Sequence, residues 1–385
     1  MNNAPHLKAA VAGIGFIGPV HIESLRRIPG VQVVAIVHSN EERAAEKAGQ
    51  LAIPAYYTSF SKMLAVEKPD AVHICTPNHL HYVMVKEALL NNIHVVCEKP
   101  LTLSLSEAQE LVSLATAKNL VHAVNFNIRY YPLIRHIKSA CANNEAGKLF
   151  SINGSYQQDW LLKDTDYNWR LETDKSGMSK AFADIGSHLL DLIEYSTGLQ
   201  ITEVMADFST AYTKRKKPLE NIETYSGKMA TAKDFEEVVI HTEDTANVLL
   251  RFSNGTKGIA TVSQVAAGRK NRLQLEINGA SQSFAWCSET PNELWIGKRD
   301  AANQILLKDP SLVHESARSI IGYPGGHNEG FADTTKQLFN EVYTAIKNPG
   351  LRVNPLYPTF KNGIREMELC EKIIESHQRQ CWVKI

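Results

Sequence analysis

Between residues 7 and 127, short β-branched runs alternate with longer segments whose apolar residues recur at helical spacing. The runs are LKAAVAG (7–13), VQVVAIV (31–37), DAVHICT (70–76), IHVVCEK (93–99) and LVHAVNF (120–126). A strand that is apolar throughout has no face to offer water, so helices must cover both sides of its sheet. Strands separated by helices in this way are expected to form a doubly wound parallel sheet, with a ligand site beyond their carboxyl ends.

After residue 128 the pattern changes. RYYPLIRHIKSACANN predicts a helix. Alternating runs then follow at 151–160, 237–265, 272–286 and 292–297, with the turn pairs Asn254-Gly255 and Asn278-Gly279 among them. The expected domains are 1–127 and 128–385, the second an α/β domain with a large, mainly antiparallel sheet. A helix at 186–197 is inserted early in it. Helices at 328–347 and 358–379 follow, the latter packing back on the body. The polar stretch 213–235, with its Lys214-Arg215-Lys216-Lys217 run, is expected to be a solvated loop.

Composition excludes several classes of function. The chain of 385 residues carries 41 basic and 41 acidic groups and is 44% hydrophobic, so no overall field draws it to nucleic acid or membrane. No apolar run is long enough to span a bilayer, and the amino terminus lacks the pattern of a secretion signal, so a cytoplasmic protein is expected. The six cysteines show no C-x-x-C spacing, which points to small buried thiols and to no metal.

Gly13-Ile14-Gly15-Phe16-Ile17-Gly18 follows the first strand and opens a helix. In that context G-x-G-x-x-G is the fingerprint of a dinucleotide site. Its first glycines allow a tight turn and close approach to a pyrophosphate, and its third lets the helix pack on the strand. The second strand ends in His38, Ser39 and Asn40, with Arg43 beyond, where an acidic residue ordinarily binds the ribose 2′-hydroxyl. Without that carboxylate a 2′-phosphate is not repelled, and His38, Ser39 and Arg43 are suited to bind it. The cofactor is read as NAD(P)(H), leaning toward NADP.

The third and fourth runs end in Thr76-Pro77-Asn78, with His81, and in Glu98-Lys99-Pro100. Both ends lie where chemistry on a bound cofactor is expected, and Pro100 stops the strand and restricts Lys99. Further on, Asp184 and His188 are four apart, with Asp191 beyond, and share a face if a helix begins near Asp184.

These motifs occur in the order and spacing of the glucose-fructose oxidoreductase and inositol dehydrogenase family, Gfo/Idh/MocA, which the chain resembles along almost its whole length. The resemblance implies a Rossmann domain followed by a domain with a large sheet. It assigns catalysis to Lys99 and His188, with Asp184 an orienting or substrate-binding partner. Thr76, Pro77, Asn78 and His81 are implied along the nicotinamide ribose, Glu98 near the nicotinamide, and a cis Lys99–Pro100 bond is common in the family. YQQDWL (156–161), Trp169-Arg170, GRKN (268–271) and PGGH (324–327) look like bacterial sugar and anhydrosugar dehydrogenases such as levoglucosan dehydrogenase.

The reaction expected is hydride transfer between nicotinamide and a secondary alcohol of a sugar, anhydrosugar or polyol. Histidine titrates in the range such proton transfer requires, and an ammonium stabilises a developing alkoxide. Which of Lys99 and His188 first accepts the proton stays open. Asn127, Arg129, Tyr130, Gln158, Asp159, Trp160, Arg170 and His327 are candidate sugar contacts. The family also includes NAD-dependent glycoside hydrolases and a non-catalytic sensor of nucleotides, which are the alternative readings. A homodimer or homotetramer through the second domain's sheet is expected.

Overall fold

Ala9, Ala10, Val11 and Ala12 of strand β1 (Leu7–Ala12) have no solvent exposure. Their small side chains let helices approach from both sides. The computed structural model describes residues 6–219 and 234–385, and the chain divides into two compact units. The first unit takes in residues up to Phe126 together with Thr335–Met367.

In this unit β1 is followed by α1 (Ile17–Arg26), β2 (Val31–Val37), α2 (Glu41–Gln50), β3 (Ala55–Tyr57), α3 (Phe60–Glu67), β4 (Ala71–Ile74), α4 (His81–Leu90), β5 (His94–Cys97), α5 (Leu105–Ala117) and β6 (His122–Val124). The sheet is ordered β3-β2-β1-β4-β5-β6 and every pair is parallel. The order reverses between β1 and β4, and at such a switch point the loops diverge and open a crevice. The five predicted strands are present; β3 is an addition, three residues being too short to show a period. Polar caps start the helices: Asn40, Ser59 and Ser104 accept from the backbone N–H of Arg43, Lys62 and Glu107. Phe360 and Met367 join the unit's hydrophobic core, and Val124 N–H donates to the Pro358 carbonyl.

The second unit comprises Asn127–Thr334 and Glu368–Ile385. It opens with α6 (Pro132–Ala142) and β7 (Leu149–Gln157), followed by the short α7 (Thr173–Ser176) and α8 (Ser187–Thr197). Then come β8 (Ile201–Ser209), β9 (Lys214–Pro218), β10 (Phe235–Val239), β11 (Thr245–Phe252), β12 (Lys257–Ser263), β13 (Arg272–Gly279), β14 (Ser283–Cys287), β15 (Glu293–Gly297) and β16 (Gln304–Leu307). The short α9 (Glu315–Arg318) leads to α10 (Phe331–Lys347) and α11 (Phe360–Arg379), and β17 (Val383–Lys384) ends the chain. Helices α10 and α11 each begin in one unit's residues and end in the other's.

The large sheet has nine strands ordered β16-β15-β14-β13-β7-β12-β11-β8-β17, antiparallel except for β7 and β12. Alternation decides its faces. Ile152, Val204, Val248, Leu275 and Trp286 turn toward a core shared with Leu133, Leu189 and Ile373. Met205, Leu249 and Ile259, paired side by side, lie on the other face, as do Ala285, Trp295 and Ile305.

Two local expectations are corrected. The stretch expected as a loop contains a hairpin, β9 with β10, in which Arg215 is buried while Lys214 and Lys216 are exposed; residues 220–233 lie outside the described residues. Asn254-Gly255 makes its turn, Gly255 at φ 86°, but Asn278 pairs with Ser283, so Asn278-Gly279 ends β13 and the turn follows it.

Candidate active site

The glycine-rich loop joins β1 to α1. Gly13 has φ 89°, and a Cβ there would sit 2.5 Å from the Cys75 carbonyl oxygen; a Cβ on Gly18 would sit 2.2 Å from the Gly13 oxygen. Both glycines are needed to close the turn. Gly15 differs, because a Cβ there would meet nothing within 4 Å. No side chain caps α1 and no acid lies in its first turn, so its N-terminal N–H groups and positive dipole end are suited to an anion, and Phe16 beside them is exposed. An open face at Gly15 beside an uncapped helix start fits a pyrophosphate.

At the end of β2, His38 Nδ1 accepts from Asn40 N–H at 3.0 Å, and Ser39 and Arg43 are exposed. No carboxylate occupies the position, Glu41 and Glu42 being in the first turn of α2.

The loop after β4 carries Thr76, Pro77 and Asn78. His81, the first residue of α4, is turned into the protein. Its Nδ1 lies 2.7 Å from the Pro100 carbonyl oxygen and its Nε2 2.9 Å from that of Thr76, so its ring spans the two loops. Set between these two carbonyls, His81 bridges the loops that follow β4 and β5, and burial lowers its pKa, so its neutral ring donates to one of them at a time. The Lys99–Pro100 bond is cis. Glu98 accepts from His21 Nε2 at 2.8 Å and from Asn125 through the same oxygen, Oε1. Burial alone would raise the Glu98 pKa, but these donors and the nearby Lys99 charge bring it down to about 2.

In the second unit, α8 is preceded by a π-helical turn, Phe182–Gly186, closed by Ser187 N–H donating to the Phe182 carbonyl. Asp184 lies in that turn and His188 just inside α8, so a change from π to α winding separates the two, where the sequence suggested one α-helix begun near Asp184. Such turns recur at functional sites. Gly186 is required, since a Cβ would come within 2.8 Å of the Phe182 ring. Asp184 is held through both oxygens, Arg170 Nε at 3.3 Å from Oδ1 and Gln264 Nε2 at 2.9 Å from Oδ2.

Buried charges anchor the segment. Glu243 accepts from Ser179 Oγ, Lys180 N–H and Phe182 N–H at 2.7–3.0 Å, and Asp244 pairs with Lys180 and Arg215, all of them nearly without exposure. Burial would raise the Asp244 pKa, but the two cations outweigh it and lower it.

The remaining candidates separate. Gln158 and Trp160 belong to a network in which Trp160 Nε1 donates to Gln158 at 2.9 Å, and Gln158 and Tyr156 donate to Asn271 Oδ1 at 2.9 and 2.7 Å. Asp159 pairs with Lys270. Arg129 is committed to a forked pair with Asp191, Asn127 to Thr334 and Tyr130 to a cation–π contact with Arg135, so these three have structural partners. His327 is exposed on a loop whose carbonyls are gathered by the buried Lys308. Gln264 was missed in the sequence because nothing local marks the residue after a strand as a partner of Asp184. Asn271 lies in GRKN, but its partners Tyr156 and Gln158 come from the end of β7 and the residue just past it.

A parallel sheet with a glycine-rich turn fitted to a pyrophosphate, and strand ends carrying Glu98-Lys99-Pro100, defines a dinucleotide-dependent oxidoreductase. Residues 7–126 match the oxidoreductase family model with an NAD-binding Rossmann fold, GFO_IDH_MocA, and residues 134–285 match a Gfo/Idh/MocA C-terminal domain. The chain belongs to the Gfo/Idh/MocA family. It is similar to levoglucosan dehydrogenase of Pseudarthrobacter phenanthrenivorans, at 26% identity with 99% of this chain and 98% of that one covered. The structure of levoglucosan dehydrogenase in complex with NADH and L-sorbose is similar over 99% of both chains, with TM-score 0.88 and 25% identity. A third relative is the myo-inositol 2-dehydrogenase of Thermotoga maritima, 26% identical over 70% of this chain and 72% of that one. No helix among the described residues is long and apolar enough to cross a membrane.

Proposed function

We propose that the protein transfers hydride between a nicotinamide dinucleotide and a secondary alcohol of a sugar, anhydrosugar or polyol. The observation that carries this reading is the pairing of a pyrophosphate-fitted turn at Gly15 with Lys99 at the end of β5 in the same sheet. The names of the relatives support the substrate class.

The cofactor, when bound, supplies the hydride acceptor. His188 takes the hydroxyl proton on a ring nitrogen, Asp184 orients the substrate, and Lys99 Nζ donates to the reacting oxygen as negative charge develops there. Thr76, Pro77 and Asn78 line the ribose, and the Gln158–Trp160–Asn271 network presents polar edges and a ring face to a sugar. With His38, Ser39 and Arg43 in place of a carboxylate, NADP is accepted at least as well as NAD.

The outer face of the nine-stranded sheet, where Leu249 is 45% exposed between Met205 and Ile259, supports a homo-oligomer that covers it. Light scattering would test that part, with Leu249→Lys expected to shift the mass toward a monomer.

The test of the reaction is reduced-nicotinamide absorbance over pyranoses, anhydrosugars, inositols and sugar acids, with NAD and NADP run separately. Turnover should fall by about 10²–10⁴-fold in Lys99→Ala and in His188→Ala. Tight nicotinamide binding with no net reduction by any alcohol would turn the reading toward hydrolysis or sensing.

A further inference from the structure

The first unit contains a chain of buried polar groups that the proposed reaction does not use. His21 on α1 and His73 on β4 have no exposure and meet through their Nδ1 atoms at 2.9 Å. His21 Nε2 lies 2.8 Å from Glu98 Oε1, and His73 Nε2 lies 3.0 Å from the hydroxyl of Tyr343 on α10. Phe339 closes over both imidazoles, at ring distances of 4.7 and 4.6 Å.

Each contact holds one proton, and the inventory of donors decides its direction. An ionised carboxylate only accepts, so His21 Nε2 carries a hydrogen. Were His21 protonated on both nitrogens, His73 would accept at Nδ1 and donate from Nε2 to Tyr343. The buried Tyr343 O–H would then have no acceptor among the described residues, an unfavourable arrangement for a group shut away from water. The opposite order gives every group of the chain a partner: Tyr343 O–H donates to His73 Nε2, His73 Nδ1–H to His21 Nδ1, and His21 Nε2–H to Glu98, while Asn125 Nδ2, 3.3 Å from His21 Nε2, donates to Glu98 Oε1 instead. Burial, and then His21, push the His73 pKa well below its usual value, which suits a neutral ring.

We infer that His21 and His73 are positioning residues whose one-way chain of hydrogen bonds holds Glu98 as an anion, with Oε1 filled and Oε2 presented to the nicotinamide end of the cofactor beside Lys99. The inference rests on the dehydrogenase reading above. Its support is geometric: Oε1 takes both His21 and Asn125, Oε2 accepts from no described residue, and the Glu98 side chain keeps 12% exposure. His21 rides on the helix whose first turn fits the pyrophosphate, so the chain ties the two ends of the dinucleotide site together.

Two measurements test this on the full-length protein with NADH as the probe. Nitrogen-15 spectra of histidine-labelled protein, assigned with His21→Gln and His73→Gln, should show His21 protonated at Nε2 alone and His73 at Nδ1 alone. A doubly protonated His21, or the inverse tautomers, would overturn the inference. Calorimetric NADH affinity should weaken about tenfold in His21→Leu and in the isosteric Glu98→Gln, and the double variant should bind no worse than the weaker single one. Additive losses, about hundredfold in the double variant, would mean that His21 acts on the fold and not through Glu98. If His21→Leu does not fold, Tyr343→Phe with Glu98→Gln makes the same cycle, an expected loss of about threefold in Tyr343→Phe vanishing beside Glu98→Gln. Turnover enters neither readout, so an enzyme inactive on every alcohol, or one active as Lys99→Ala, would sink the dehydrogenase reading while these results still judge the chain.

Discussion

Gln264 Nε2 donates to Asp184 Oδ2 at 2.9 Å from a fully buried position just past β12. With Arg170 on the other oxygen, the carboxylate is fixed by two segments distant in sequence, and its orientation is a property of the fold and not of its own helix.

Gln264→Glu keeps the volume and sets two carboxylates against each other. The pair is then expected to share a proton, which raises one carboxyl pKa. kcat/KM at neutral pH should fall by about 10–100-fold and recover in part as pH is lowered, while the unfolding temperature stays within a few degrees. A pH series of initial rates on both proteins checks this.

Gly15→Ala and Gly18→Ala should part company. The first adds a methyl group to open space, so the protein should fold normally and bind NADH about tenfold or more weakly. The second forces a Cβ to within 2.2 Å of a backbone oxygen and should lower stability outright. Circular dichroism melts with NADH titrations would distinguish them.

His38→Asp restores an acceptor for a ribose hydroxyl and a charge that repels a 2′-phosphate. The ratio of kcat/KM for NADP to that for NAD should fall at least about tenfold, equivalent to about 1.4 kcal/mol. An unchanged ratio would show that His38 does not face the ribose.

Stability should decline on the acid side from near pH 6.5. Burial, with Arg352 beside one ring and Lys361 beside the other, lowers the pKa of His94 and of His122 to about 4, and each accepts a backbone N–H at Nδ1, from Val121 and Phe360. The unfolded chain takes up those protons at about 6.5 and the folded one only near 4, so stability is lost between the two values. Glu98, lowered to about 2, adds stability that is complete above its unfolded value of 4.5 and disappears as pH falls toward 2. Melting temperatures from pH 8 to 3 should fall in two overlapping stages.

Lys180→Met removes one of the two cations on Asp244 and should cost about 3–5 kcal/mol, as breaking a buried pair does. Denaturant unfolding of the variant beside the parent protein measures it.

The central strands were legible because their side chains are apolar on both faces, and the end of β5 was legible because a proline follows it closely. Other features depended on partners that no local pattern shows. Lys214-Arg215-Lys216-Lys217 reads as one run of charge, yet pairing with β10 sends Arg215 inward to Asp244 and its neighbours outward. Arg129 and Asn127 have the chemistry of sugar contacts, and their pairing with Asp191 and Thr334 has no local signature. The Pro100 carbonyl beside the His81 ring comes from a loop 19 residues further on, and no local pattern announces it. The His21–His73 pair was invisible, since a histidine on a helix and another on a strand announce nothing until the sheet aligns them.

The first unit's reliance on Thr335–Met367 has a consequence for synthesis on the ribosome. Phe339, Tyr343 and Phe360 are fully enclosed beside strands made near the beginning of translation. At about 5–20 residues per second, about 210–235 residues must emerge after Phe126 before those side chains arrive, a delay of about 10–50 s. For that interval the nascent parallel sheet keeps an uncovered apolar surface, and the cofactor-binding half of the enzyme is among the last parts of the molecule to be finished.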